Sequence, residues 1–325
     1  MEISRRQFFP LAMGTAVFPA ASYIAQAESY PSRPVRIIVG FPAGGTPDIL
    51  ARLIGESLSE RLRQPFVIEN RPGAATNIAT ELVVRAAPDG YTLLTVTTPN
   101  LTNATLYPDL KFNFVRDIAP VASIGGVPFM MVVNPSFPPK TVPDFIAYAK
   151  AHPGQINVTS TGTGNLTYMA AELFKMMTGI DMVQVPARGE AGAQSDLLSG
   201  RVQVMFDPIP SSIGYVQAGK LRALAVTTAT RLDVLPELAP VGDFVPGYEV
   251  SGTLGIGAPK GTSAEIITVL NKEINAGLID SKMKVRLAEL GATVRLDSPA
   301  DFGKLVSAEI EKWAKVIKFA GIKAE

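Results

Sequence analysis

The sequence predicts an α/β protein built as two lobes, and three observations carry that reading. Val35-Arg36-Ile37-Ile38-Val39 is β-branched and apolar apart from its arginine, as a strand covered on both faces requires, and it feeds a glycine turn and then a helix opening near Thr46. Strand and helix patterns then alternate along the chain, which implies a mostly parallel sheet with right-handed crossovers. About 120 residues later the same unit recurs: a strand over 156–160, the turn Thr161-Gly162-Thr163-Gly164-Asn165 and a helix from Leu166. A glycine turn at a helix N-terminus leaves free amides beside the positive end of the helix dipole, and so binds anions.

The elements follow in order. In the first turn, Phe41-Pro42-Ala43-Gly44-Gly45, glycine lets the backbone approach a ligand closely. Thr46 is an N-cap residue, Pro47 fits a first helical turn, and Ile49, Leu50, Leu53, Ile54 and Leu58 form an apolar stripe. A short strand over 66–69 enters the turn at 70–74, and a helix over 77–87 is closed by Pro88-Asp89-Gly90. A third strand over 91–96 ends in Thr97-Thr98-Pro99-Asn100, at the strand end where such sheets bind ligands. Two strands are expected at 118–124 and 129–133, the second entering the second lobe. There, helices are expected over 142–152, 166–178 and 191–199, with strands over 156–160, 182–185, 202–206 and 221–226. The tail gives a strand over 252–257 and helices over 264–280, 281–290 and 299–320. Trp313 keeps helical spacing with Leu305, Ile310 and Ile317, which assigns it to the core. The lobes are expected to be 28–126 with 250–325, and 127–249.

Composition narrows the function. Of 325 residues, 47% are hydrophobic and 18% charged, enough apolar material for two cores. With 30 basic and 29 acidic residues and no run of like charge, no nucleic-acid partner is expected. The absence of cysteine excludes disulfides, thiolate metal sites and a cysteine nucleophile. The single histidine, His152, lies in a turn after a helix and reads as a helix-end residue. No nucleophile elbow and no metal-ligand cluster is present, so the chain is read as a non-enzyme, although Asp48 and Asp207 are the pair that acid–base chemistry would use. Residues 1–27 read as an export signal: Ser4-Arg5-Arg6-Gln7-Phe8, a short apolar segment and Ala25-Gln26-Ala27. The paired arginines suggest the twin-arginine route, and cleavage near Ala27 leaves a neutral, exported chain.

Glycine turns from two lobes, together with Thr97, Thr98, Ser160, Thr161, Thr163 and Asn165, suit a carboxylate held by neutral donors and helix dipoles. Arg188 offers a partner for a second carboxylate, and Asp207 stands at a strand end. At this point the sequence resembles a known family. Tyr30-Pro31-Ser32-Arg33-Pro34, Phe41 through Asp48, Glu69-Asn70-Arg71-Pro72-Gly73-Ala74, Ala87-Pro88-Asp89-Gly90-Tyr91 and Leu221 through Val226 are similar to the Bug-type solute receptors of tripartite tricarboxylate transporters. Ser160-Thr161-Gly162-Thr163-Gly164, Val185-Pro186, Gly189, Val204-Met205-Phe206-Asp207 and Ala258-Pro259-Lys260-Gly261-Thr262 extend the resemblance over almost the whole mature chain.

The resemblance implies a periplasmic, type II-like Venus flytrap, its two domains joined by crossover strands and closing on an organic acid. It assigns Phe41, Ala43, Gly44, Gly45 and Asp48 from the first loop and Ser160, Thr161, Gly162, Thr163 and Gly164 from the second, with Thr97, Thr98 and Asp207 added by position. Its implied partners are a small mono- or dicarboxylate and the membrane permease subunits; no cofactor is implied, and the receptor is expected to be a monomer. A receptor that signals to a membrane sensor kinase would use the same closure. The chain departs from the pattern at Tyr168-Met169-Ala170-Ala171-Glu172 and at Val185-Pro186-Ala187-Arg188-Gly189, where an aromatic is lost and a guanidinium stands.

Overall fold

The computed structural model describes residues 30–162, 164–187 and 189–323; the export segment, Thr163 and Arg188 lie outside the described residues. Three parallel strands, β1 (Val35–Val39), β2 (Phe66–Asn70) and β3 (Thr92–Thr97), alternate with α1 (Thr46–Leu62) and α2 (Asn77–Val84). The chain then makes α3 (Thr98–Leu106), the short α4 (Phe114–Asp117) and the long strand β4 (Ile118–Val133). Beyond β4 come α5 (Val142–Ala151), β5 (Asn157–Ser160), α6 (Leu166–Thr178), β6 (Val183–Pro186), α7 (Glu190–Leu198), β7 (Val204–Pro208), α8 (Ile209–Gln217) and β8 (Arg222–Val226). The return is β9 (Ser251–Pro259), followed by α9 (Ala264–Leu278), α10 (Ser281–Glu289), β10 (Thr293–Val294) and α11 (Pro299–Ala320).

These strands form one mixed sheet in the order β2-β1-β3-β9-β4-β7-β5-β6, with β8 and β10 also paired to β4. Its outer parts are parallel, as the alternation requires, and the antiparallel pairs gather on β4 and β9. The two strands expected at 118–124 and 129–133 are a single strand. Ile118 to Pro128 pairs with β9, and Phe129 to Val133 continues between β7 and β8. Gly125-Gly126 reads as a break in sequence, but here it is the place where neighbouring backbone comes closest. A Cβ on Gly126 would lie 2.8 Å from the Gly252 carbonyl oxygen, and Gly125 faces Thr293 of β10 still more closely. β4 therefore joins the two halves as a continuous rail.

Apolar clusters flank the sheet on both sides of β4. Ile37, Leu50, Ile54, Leu270 and Ile274 pack in one, and Ile38, Val96, Phe302 and Val306 in another. Beyond β4, Phe145, Phe174, Phe206 and Tyr248 form an aromatic core. The helix α11 touches both halves: Phe302 and Val306 belong to the first, while fully buried Trp313, Val316 and Ile317 belong to the aromatic core. Trp313 is a core residue, as its spacing predicts, and it reaches across to the half opposite the start of its helix. His152 caps α5, its Nδ1 lying 2.9 Å from the Tyr148 carbonyl oxygen and its ring stacked on Tyr148.

Candidate functional site

Between the two halves lies a cleft of about 530 Å³, in the range of small-ligand sites. It is lined by Phe41, Leu50, Val127, Phe129 and Leu254 among its apolar residues. Most of the rest of its lining comes from helix beginnings, apart from Thr161, Thr253 and Glu289. Thr46 and Pro47 open α1, Thr97 to Pro99 open α3, Asn165 to Thr167 open α6, Glu190 opens α7, and Pro208, Pro210 and Ser211 open α8. Five helix N-termini thus meet one cavity. Each leaves first-turn amides without intrahelical partners and presents a positive partial charge.

Capping differs between the helices, and α2, which begins outside the cleft, also has no side-chain cap. The helices α4, α5, α9, α10 and α11 each close their first turn with a side chain, from Asn113, Thr141, Ser263, Asp280 and Ser298, and none of them begins in the cleft. In α1, α6, α7 and α8 no cap side chain bonds the first turn, the N-cap residues being Gly45, Asn165, Gly189 and Pro208. Orphan amides facing a cavity await an external acceptor. In α3, Asn100 turns inward instead: its Oδ1 accepts from the Thr97 amide at 2.7 Å, and its Nδ2 donates to Thr76 and Thr80 at 3.0 and 2.8 Å. That network fixes Thr97 and Thr98 at the cleft wall. Thr98 is held further by the Thr253 amide, which donates to its Oγ1 at 3.1 Å.

Of the residues expected at the site, Phe41, Thr97, Thr98 and Thr161 line the cleft. Ala43, Gly44 and Gly45 form an exposed turn beside it, and the Gly44 amide is already engaged, donating to Asp48 Oδ2 at 2.8 Å. Asp48 itself is buried away from the cavity. Its oxygens also accept from Asn70 Nδ2 at 2.8 Å and Arg52 Nε at 3.0 Å, so it ties the turn to α1 and β2 rather than facing the cavity. Ser160 is fully buried, and Gly162 shapes the second turn at φ +138°. Gly164 opens on a neighbouring hollow with Pro99 and Asn103. Asp207 is buried behind the wall, where Ser212 donates to its Oδ2 and Oδ1 has no partner among the described residues. Burial first, and Glu190 beside it, push its carboxyl up to about 8.

Sequence reading missed α3 and α8, and with them Pro99, Pro210 and Ser211 as lining residues; it expected α7 but not its first residue, Glu190, on the cleft wall. The available signal for a helix start was proline in a first helical turn, which marks α1, α3 and α8 but also α5 and α11 away from the cleft.

Asp48 gives a test of the first turn. Burial raises its carboxyl, but the bonds from Arg52, Gly44 and Asn70 outweigh that and leave it below the usual range. A carboxyl lowered on folding stabilises above its unfolded value, about 4, and that stabilisation fades as pH falls through the folded value. Asp48→Asn should cost about 2 kcal/mol at neutral pH, with the gap to wild type closing below about pH 4 in melting curves. A gap that persists undiminished on acidification would remove the carboxylate from this role.

Comparison with known proteins places the chain. A family model described as tripartite tricarboxylate transporter family receptor matches residues 50–322. Protein BugT of Bordetella pertussis is 33% identical over 315 residues, covering 94% of this chain and 96% of that protein. Among solved structures, R. palustris Rpa4515 with adipate is 40% identical with a TM-score of 0.74, covering 90% of this chain and 99% of that one. MatC from Rhodopseudomonas palustris with bound malate is 32% identical with a TM-score of 0.71, covering 89% and 100%.

Proposed function

The chain belongs to the tripartite tricarboxylate transporter family of receptors, and from that membership we propose that it captures a small organic carboxylate in the cleft and delivers it to membrane permease subunits of that transporter class. The observation that carries the ligand class is the convergence of helix N-termini whose first turns lack side-chain caps. A carboxylate supplies the missing acceptor, and the dipole ends stabilise its charge without an ion pair. The apolar lining from Phe41, Leu50, Val127 and Phe129 takes the carbon chain. The adipate of Rpa4515 and the malate of MatC are small carboxylates, which supports the same class here. The receptor works in the periplasm after removal of 1–27. Two lobes, 28–126 with 250–325 and 127–249, close around the ligand, with β4 and β9 as the connection between them.

Thermal denaturation with a panel of mono- and dicarboxylates tests the reading. A ligand that binds only the folded state raises the melting temperature, by about 2.7 kcal/mol of stabilisation at 100-fold excess over Kd. The methyl ester of the same acid should give no rise, because it keeps the carbon chain and loses the charge. Equal shifts from acid and ester would show that the amides do not read a carboxylate.

A further inference from the structure

Among the described residues, the charge on the cleft wall is unusual for a site that takes an anion. The described lining residues include no lysine, arginine or histidine, and their two charged members are both acids, Glu190 and Glu289. Glu289 is exposed and paired with Arg286 at 3.3 Å. Glu190 is half-buried and has no cation partner among the described residues; its Oε1 accepts only a long, 3.3 Å contact from Gln194 Nε2. The same amide reaches Asp207 Oδ2 at 3.3 Å and the Ser211 carbonyl oxygen at 2.8 Å, so one donor is divided among three acceptors. Behind it, Asp207 Oδ1 is buried with no partner. Asp207, held largely protonated by its burial, has a proton of its own to give, so the acceptor left short of donors at this end is Glu190, the carboxyl on the cleft wall.

Taking the cleft as a carboxylate receptor, the reading on which this rests, we propose that Glu190, backed by Asp207, makes it select acids whose distal end carries a hydrogen-bond donor, a hydroxyl or an ammonium. The N-termini of α1, α6 and α8 take the carboxylate, while that of α7 is answered by its own Glu190. A distal O–H or N–H then supplies Glu190 with a donor to replace the long 3.3 Å contact from Gln194. A second carboxylate at that end would meet Glu190 as a like charge, desolvated on closure. Specificity of this kind joins an attraction for the donor to a repulsion of the dicarboxylate.

Calorimetric titration of the mature protein with matched sets separates the possibilities. The sets are hexanoate, ω-hydroxyhexanoate, ω-aminohexanoate and adipate, and the corresponding four-carbon acids ending in succinate. In at least one set the hydroxy or amino acid should bind about tenfold or more tighter than both the plain acid and the dicarboxylate. Glu190→Gln should erase the preference for the ammonium compound and improve dicarboxylate binding, while the plain acid changes by less than about threefold. Glu190→Ser provides a second variant, and the wild-type ratios decide the matter alone should either fail to fold. Dicarboxylates binding tightest to the wild type, or ratios unchanged in the variants, overturn the acceptor-wall proposal and leave the carboxylate reading standing. Binding of none of these acids overturns both.

Discussion

Replacing Gly125 with alanine should cost the protein more stability than any change in the cleft. A Cβ built there lies 1.8 Å from the Thr293 carbonyl oxygen and 2.9 Å from its carbon, far inside van der Waals contact with rigid backbone. The residue also sits at φ +140°, which L side chains rarely adopt. Either β10 must leave β4, or the irregular pairing between Ser123 and Gly125 must shift the register of β4 against β9. Both outcomes move Val127 and Phe129, which line the cleft. The expected loss is above about 4 kcal/mol, with poor yield of folded protein as the visible result. Gly44→Ala separates collision from backbone strain, because Gly44 has φ +87° and nothing within 4 Å of the added Cβ. It should lose only about 1 kcal/mol in urea denaturation. Similar midpoints for the two variants would show that β4 and β10 are free to part.

The contrast between these glycines also shows what was legible in the sequence. The parallel units at either end of the sheet, β1-α1-β2 and β5-α6-β6, follow from local pattern, because β1 and β5 are largely buried apolar runs and each helix keeps one apolar stripe, although the edge strands β2 and β6 stay partly exposed. The single strand β4 does not. Gly125-Gly126 breaks strand propensity locally, and only the arrival of β9 and β10, more than 120 residues downstream, explains why nothing larger fits. The site divides in the same way. Phe41, Thr97, Thr98 and Thr161 were reachable, because strand ends and glycine turns are local features. Asp48 shares their motif but faces inward, since burial and three donors claim it, and no spacing rule reveals which way a helix's first turn is facing. Glu190 and Ser211 needed the tertiary fold to bring α7 and α8 to the same wall.

Asn165→Asp should abolish most carboxylate affinity while leaving the fold as stable as before. Asn165 is the N-cap residue of α6, exposed and on the cleft wall, and its Nδ2 donates to the Thr161 carbonyl oxygen at 3.2 Å. Aspartate has the same shape and caps helices as well as asparagine. Losing the amide donor costs about 1 kcal/mol, and the new charge at the positive end of α6 returns a similar amount. The melting temperature should therefore stay within a few degrees. Affinity should behave oppositely, because two like charges about 5 Å apart at an effective dielectric near 20 repel by about 3 kcal/mol, over a hundredfold in Kd. Asn165→Ser, which keeps a capping oxygen without the charge, should bind within about tenfold of wild type. A variant that merely unfolds loses stability and affinity together, whereas this one loses affinity alone, so the pair of measurements isolates charge at the α6 N-terminus. An aspartate variant that binds within about threefold of wild type would remove α6 from the anion site. The uncapped first turns of α1 and α8 would then have to hold the carboxylate without it.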